Sequence, residues 1–287
     1  MTAVGIFDSG IGGLSVWRQI VRRSPELDTH YVADQSHLPY GTQPHDHVLT
    51  YSREITRFLV RRGCGVVVVA CNTASAVALQ ALRSEFDAVR FVGMEPAVKP
   101  AAALSRNKIV AVWATPATLQ GALFERTLAR LDADVHILRQ PCPGLVEAIE
   151  ADDTGRLESL LTDLLRAPRE AGADTLVLAC THYPLVRDTI ERLAGTHVHV
   201  VDPAAAVARQ VASVAAAMSV GDAEQSPHAA QHTLYTTGDA DAFAQQTQRW
   251  LNVDAGARAL VWSGTTLAPH PEQPTSPAAL PRETPRP

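Results

Sequence analysis

Short apolar runs alternate with longer amphipathic stretches along most of the chain. Ala3-Val4-Gly5-Ile6-Phe7 is closed by Asp8 and a glycine turn, and Leu14 to Arg23 follows with helical spacing. Thr29 to Ala33 predicts a second strand, and His47 to Arg62 a helix with Leu49, Ile55, Phe58 and Leu59 as its apolar positions. Val66-Val67-Val68-Val69-Ala70-Cys71 shows no alternation, the pattern of a strand covered on both faces in a parallel sheet. Ala74 to Phe86 predicts a helix; Ile109 to Ala114, Ala133 to Leu138 and Thr175 to Cys180 predict further strands, each followed by a helical pattern. The alternation points to an α/β fold with mainly parallel sheets.

The 287 residues suit one large or two medium domains, and 46% hydrophobic residues supply material for their cores. With 25 Lys+Arg against 30 Asp+Glu, there is no basic excess to bind nucleic acid. The most apolar stretches are interrupted well short of the ~20 residues that a membrane span needs. Met1 leads directly into a strand pattern, and four cysteines are too few for a disulfide scaffold, so the expectation is a cytoplasmic protein with free thiols. Seven of the 19 prolines fall between Pro269 and Pro287, and residues 266–287 are expected to form a disordered tail.

One internal similarity changes the picture. Val66 to Thr73 and Thr175 to His182 are both buried-strand runs that end in Ala-Cys and continue into two polar residues. Parallel α/β sheets bind ligands at the carboxyl ends of their strands. Cys71 and Cys180, 109 residues apart, therefore predict two related half-sites facing each other. Cys64, between glycines in a turn, and Cys142, between prolines, lack that context.

Several chemistries are open to such a pair. Cysteine is often a small core hydrophobe, but Asn72, Thr73, Thr181 and His182 are polar neighbours that a core position disfavours. Neither Cys180/His182 nor the alternating pairs His45/His47 and His197/His199 match usual zinc spacings, so no metal is expected. A single nucleophile acting with His182 leaves Cys71 unexplained. Two thiols on opposite sides of one carbon can instead invert its configuration, a thiolate taking a proton from one face while a thiol returns one to the other, with no organic cofactor. Thiol pKa values near ~8.5 fall beside cations and helix N-termini, so both forms can coexist near neutrality. In Asp8-Ser9-Gly10-Ile11-Gly12-Gly13 a dinucleotide motif would need glycine where Ser15 stands, and the carboxylate would repel a pyrophosphate. Asp8 suits an amino group or a proton-transfer partner, and alternatively caps the turn, while the loop amides suit a carboxylate.

The segments Asp8 to Gly13, Ala70-Cys71-Asn72-Thr73-Ala74-Ser75 and Ala179-Cys180-Thr181-His182-Tyr183-Pro184 resemble the glutamate racemases of the cofactor-independent aspartate/glutamate racemase superfamily. Further matches run in order through Asp34 with Pro39-Tyr40-Gly41, Glu95-Pro96-Ala97, Ala114 to Thr118, Cys142-Pro143 and Thr236 to Asp239, so that the resemblance spans about residues 3–262. It implies two pseudo-symmetric, doubly wound α/β domains, 1–96 plus 207–265 and 97–206, with the substrate in the cleft between them. It implies that Cys71 handles the proton of D-glutamate and Cys180 that of L-glutamate, and that Asp8 assists Cys71 as His182 assists Cys180. A further auxiliary carboxylate falls on Glu150, the best match by spacing, with Glu147 competing. Substrate contacts fall on Asp8, Ser9, Tyr40, Gly41, Asn72, Thr73, Thr181 and His182. The implied partner is glutamate, with no cofactor and no role for nucleic acid or membrane; a homodimer is left open. Two other functions stay in view: a racemase acting on aspartate or another small amino acid, and a non-catalytic amino-acid-binding protein.

Overall fold

A computed structural model describes residues 3–218 and 229–271. Eleven strands occur among them: β1 (Ala3–Asp8), β2 (Thr29–Ala33), β3 (Cys64–Val69), β4 (Arg90–Gly93), β5 (Ile109–Ala114), β6 (His136–Pro141), β7 (Thr175–Ala179), β8 (His199–Val201), β9 (His232–Thr236), β10 (Ala257–Ser263) and β11 (Thr266–Pro269). They form two sheets, a seven-stranded one in the order β11-β10-β9-β2-β1-β3-β4 and a four-stranded one in the order β6-β5-β7-β8. Every pairing is parallel except the terminal β10–β11 hairpin.

The unalternating β3 run is explained by helices on both of its faces. Val66 and Val68 pack with residues of the helices Leu14–Arg23, Ala204–Met218 and Ala240–Leu251. Val67 and Val69 point the other way, into a cluster with the helices His45–Arg61 and Asn72–Glu85. Because successive strand residues alternate sides, a strand between two apolar layers must be apolar at every position. β7 repeats the arrangement: Leu176 and Leu178 join one cluster, Val177 and Ala179 the other. The two Ala-Cys segments thus lie at the carboxyl ends of interior strands in two different sheets. Among the described residues, no helix is long and apolar enough to cross a membrane.

The structure corrects several sequence-based boundaries. The helix read from His47 begins at His45, directly after Pro44, and the strand read from Ala133 begins at His136. Cys64 does not lie in a turn: the turn residue is Gly63, at φ +82°, and Cys64 is the first, buried residue of β3. The larger correction concerns the tail. Residues 266–269 form β11, pairing Trp262 with Leu267 and Leu260 with Pro269 around a turn with Gly264 at φ +58°. Leu267 is buried against the cluster that holds Tyr235 and Leu260, a tertiary partnership that proline content does not register. The remainder of the expected tail, 272–287, lies outside the described residues.

Since Leu267 is only 1% exposed, Leu267→Ala is expected to lower the unfolding free energy by about 2–5 kcal/mol in denaturant titrations. A residue in a disordered tail would leave the midpoint unchanged.

Candidate active site

Parallel strands deliver their carboxyl ends to the same edge of a sheet, and the polar residues follow from there. Cys71 comes after β3 as the N-cap of the helix Asn72–Glu85, its Sγ accepting the Ala74 amide at 3.5 Å. On the neighbouring strand, Asp8 ends β1 fully buried. Its Oδ2 accepts the Gly13 amide at 2.6 Å and the Thr181 hydroxyl at 3.2 Å, while the buried Oδ1 has no partner. One oxygen of Asp8 therefore caps the glycine turn, as the capping reading expects.

From the four-stranded sheet, Cys180 follows β7, with its Sγ 3.9 Å from Nδ1 of His182. The other ring nitrogen, Nε2, lies 2.7 Å from Oε1 of Glu150, at the end of the helix Leu145–Glu150. Glu147, one turn earlier, is exposed, so Glu150 is the carboxylate that meets His182.

The two half-sites meet at one narrow pocket, lined by both thiols together with Ser9, Tyr40, Gly41, Asn72, Thr73, Thr181 and His182. Asp8 and Glu150 stand behind this lining. Asn72 presents a buried amide with neither its oxygen nor its nitrogen bonded. The Tyr40 hydroxyl is already donated to Asp34 at 2.7 Å. Pro39, Thr115 and Val146 also line the space and are additions to the sequence-based set. Thr115 is the N-cap of the helix Pro116–Gln120 and lies 2.9 Å from the Thr73 hydroxyl, joining the two halves. A Thr-Pro helix start was visible in the sequence, but nothing local told that Thr115 would face Thr73.

The glycines of Asp8-Ser9-Gly10-Ile11-Gly12-Gly13 serve close packing. A Cβ on Gly12 would sit 2.6 Å from His182 Nδ1, and one on Gly10 would fall onto the Glu150 carboxylate. The loop amides meet protein groups as well: Ile11 N–H donates to Glu150 Oε1 at 2.9 Å.

The two thiols have different ionisable neighbours. Burial pushes the Cys71 thiol well above its usual range, and the nearby Asp8 carboxylate adds to the effect, outweighing the helix N-terminal amides. Burial also raises Asp8, against the charge of His182 and bonds from Gly13, Ser9 and Thr181. At His182 burial works to lower the pKa, yet bonds to Cys180 and Glu150 raise it well above 6.5. Glu150 falls below 4.5 although burial opposes this, because His182, Ile11 and Gln35 all donate to it. An imidazolium thus faces Cys180, while a carboxylate stands beside Cys71.

Comparison with known proteins agrees with this architecture. The model of the Asp/Glu/Hydantoin racemase family matches residues 4–211. The chain belongs to that family. It is 48% identical to the glutamate racemase of Pseudomonas paraeruginosa over 213 residues, 74% of this chain and 80% of that one. It is 43% identical to the glutamate racemase of Roseiflexus sp. over 248 residues, 86% of this chain and 91% of that one. Among solved structures, a Bacillus anthracis glutamate racemase isoform superposes with a TM-score of 0.80 at 27% identity, covering 92% of this chain and 98% of its own. The Escherichia coli glutamate racemase, solved with L-glutamate and the activator UDP-MurNAc-ala, gives 0.76 at 31% identity, covering 87% and 96%.

Two outcomes follow from the geometry. Gly12→Ala is expected to destabilise the fold by about 1–3 kcal/mol through overpacking against His182 and to lower turnover in a steady-state assay. For the charged pair, His182 confers stability that is full below about pH 6.5 and is lost as pH rises through its higher folded value. The contribution of Glu150 is present above 4.5 and is lost as pH falls through its lower folded value. Unfolding titrations from pH 6.5 to 8.5 should therefore show a decline in the wild type, at most about 1.4 kcal/mol per pH unit, that Glu150→Gln lacks. Parallel curves for the two proteins would mean that the pair is not charged in the folded state.

Proposed function

We propose that this chain interconverts L- and D-glutamate by a two-base reaction, providing D-glutamate for peptidoglycan. The observation that carries the mechanism is that thiols from equivalent strand ends of two sheets line one pocket, with an imidazolium behind one and a carboxylate behind the other. The substrate Cα sits between Cys71 and Cys180, within a cleft between a domain of 1–96 plus 207–265, extended by β11, and a domain of 97–206.

The His182 imidazole, with Nδ1 3.9 Å from Cys180 Sγ, is suited to exchange a proton with that thiol, whereas burial and Asp8 keep Cys71 protonated. Toward L-glutamate, Cys180 acts as the thiolate that takes the Cα proton, and the Cys71 thiol delivers its own proton to the opposite face. The D-isomer leaves behind a Cys71 thiolate and a protonated Cys180, the pair that runs the reverse reaction. Asp8, with one unpartnered oxygen, is suited to the substrate ammonium and to proton traffic at Cys71. Asn72 offers an unpaired donor and acceptor, and the helix N-terminus at Cys71–Thr73 suits a carboxylate. The ammonium and these donors stabilise the carbanion-like transition state, which is where binding energy accelerates the step. All four cysteines are free, in keeping with a reducing cytoplasm.

Incubation of either enantiomer in heavy water is expected to place deuterium at Cα, read by proton NMR, while chiral chromatography shows the opposite isomer accumulating. Cys71→Ala and Cys180→Ala should each lower racemisation by about 10²–10⁴-fold or more, since each removes the proton carrier of one face. Near-normal turnover in either variant would exclude the two-base reaction, and turnover confined to aspartate would reassign the substrate.

A further inference from the structure

Glu150 is gripped from two directions. On its own side of the pocket it meets His182; on the other it meets groups from the seven-stranded half, far away in sequence. Beyond the Ile11 amide on Oε1, its Oε2 receives Nε2 of Gln35 at 3.1 Å and Nε2 of Gln246 at 3.5 Å. Gln246 Nε2 also donates to the Glu150 carbonyl at 2.9 Å, and Gln35 Nε2 to Gln246 Oε1 at 3.0 Å. Both amide protons of each glutamine are thereby spoken for. Their orientation is set from behind: Thr236 Oγ1 accepts the Gly238 amide at 3.0 Å, so its hydroxyl proton is free to go to Gln35 Oε1, at 2.7 Å. Flipping either amide would set like against like, nitrogen on donor or oxygen on carboxylate.

We propose that Gln35 and Gln246 are positioning residues of the reaction, forming an amide clamp that holds the Glu150 carboxylate against His182 and so orients the imidazole facing Cys180. The inference rests on the role given to His182 under Proposed function. The choice of amides has a physical reason. A neutral N–H donor stabilises the carboxylate in its charged form while leaving its charge undivided for His182. A lysine or arginine in the same place would form its own ion pair and compete with the imidazolium. The other ionisable groups around the pair are Cys180 and Asp8 toward His182, Tyr31 toward Glu150, and the neighbouring Asp152, which pairs with Arg249. Arg249 lies on the same helix as Gln246, so the one cation of that helix is exposed and engaged with Asp152, away from Glu150.

The test is the titration of the His182 imidazole, followed by NMR in the full-length protein, with Gln35→Met and Gln246→Met removing the donors at similar length. Each variant is expected to move the His182 midpoint to lower pH, and the double variant by about one unit, a tenfold change in its protonation equilibrium. The alkaline limb of the kcat/KM profile should move with it. Because the two enantiomers have equal free energy in water, kcat/KM must shift equally in both directions, whereas kcat and KM are free to divide the loss differently. Thr236→Val, which leaves both glutamines in place and removes only the anchor of Gln35, should give a smaller shift of the same sign and guards against a double variant that fails to fold. A His182 midpoint that stays where it is in the wild type would overturn the clamp, whatever the activity does. Wild-type protein inert toward both enantiomers would instead remove the reaction itself, and the clamp's part in it, independently of the titration.

Discussion

The contact between Glu150 and His182 is the constraint around which the pocket is organised. Two oppositely charged side chains lie nearly out of water, 2.7 Å apart, and each by itself would be driven toward its neutral form by burial. What keeps them charged is hydrogen bonding on every side: the Ile11 amide and the Gln35 and Gln246 amides on the carboxylate, Cys180 on the imidazole. Several of those donors come from the seven-stranded half, and the pair itself from the four-stranded half. The charged pair beside Cys180 is consequently held in this way only when both halves are in contact.

That requirement accounts for the glycine turn after β1. A carboxylate and an imidazole cannot approach a loop backbone that carries side chains at Gly10 and Gly12, and the Cβ positions there are already occupied by Glu150 and His182. Asp8, which ends the strand, reaches across the same contact to the Thr181 hydroxyl. The turn therefore does work similar to that of a nucleotide-binding loop, bringing backbone amides up to an anion, but here an anion held by the protein itself occupies the Ile11 amide.

The same packing gives two chemically identical thiols different surroundings. Cys71 sits at a helix N-terminus, a place that ordinarily lowers a thiol, yet full burial and the Asp8 charge dominate. Cys180 faces an imidazolium. The sequence repeat sets Thr181-His182 after one cysteine and Asn72-Thr73 after the other; the burial and the Asp8 neighbour that raise Cys71 come from the fold.

Much was legible from the chain. The uninterrupted Val66–Ala70 and Thr175–Ala179 runs determined buried parallel strands, since only a residue apolar on both faces survives between two helix layers, and the polar residues after each cysteine marked the strand ends as a site. The motifs around Asp8, Cys71 and Cys180 specified the family and supplied part of the pocket lining, to which Pro39, Thr115 and Val146 are added by the fold. Other features depended on tertiary contact. Leu267 belongs to a strand because Tyr235 and Leu260 wait to bury it, not because of its proline-rich neighbours. Glu150 rather than Glu147 meets His182 because of the direction in which its helix faces, and Gln35 and Gln246, 211 residues apart, meet only because the chain folds back. Local pattern determines elements and chemical types, because burial and backbone geometry act residue by residue; the charge state of a buried group is decided by its neighbours in space.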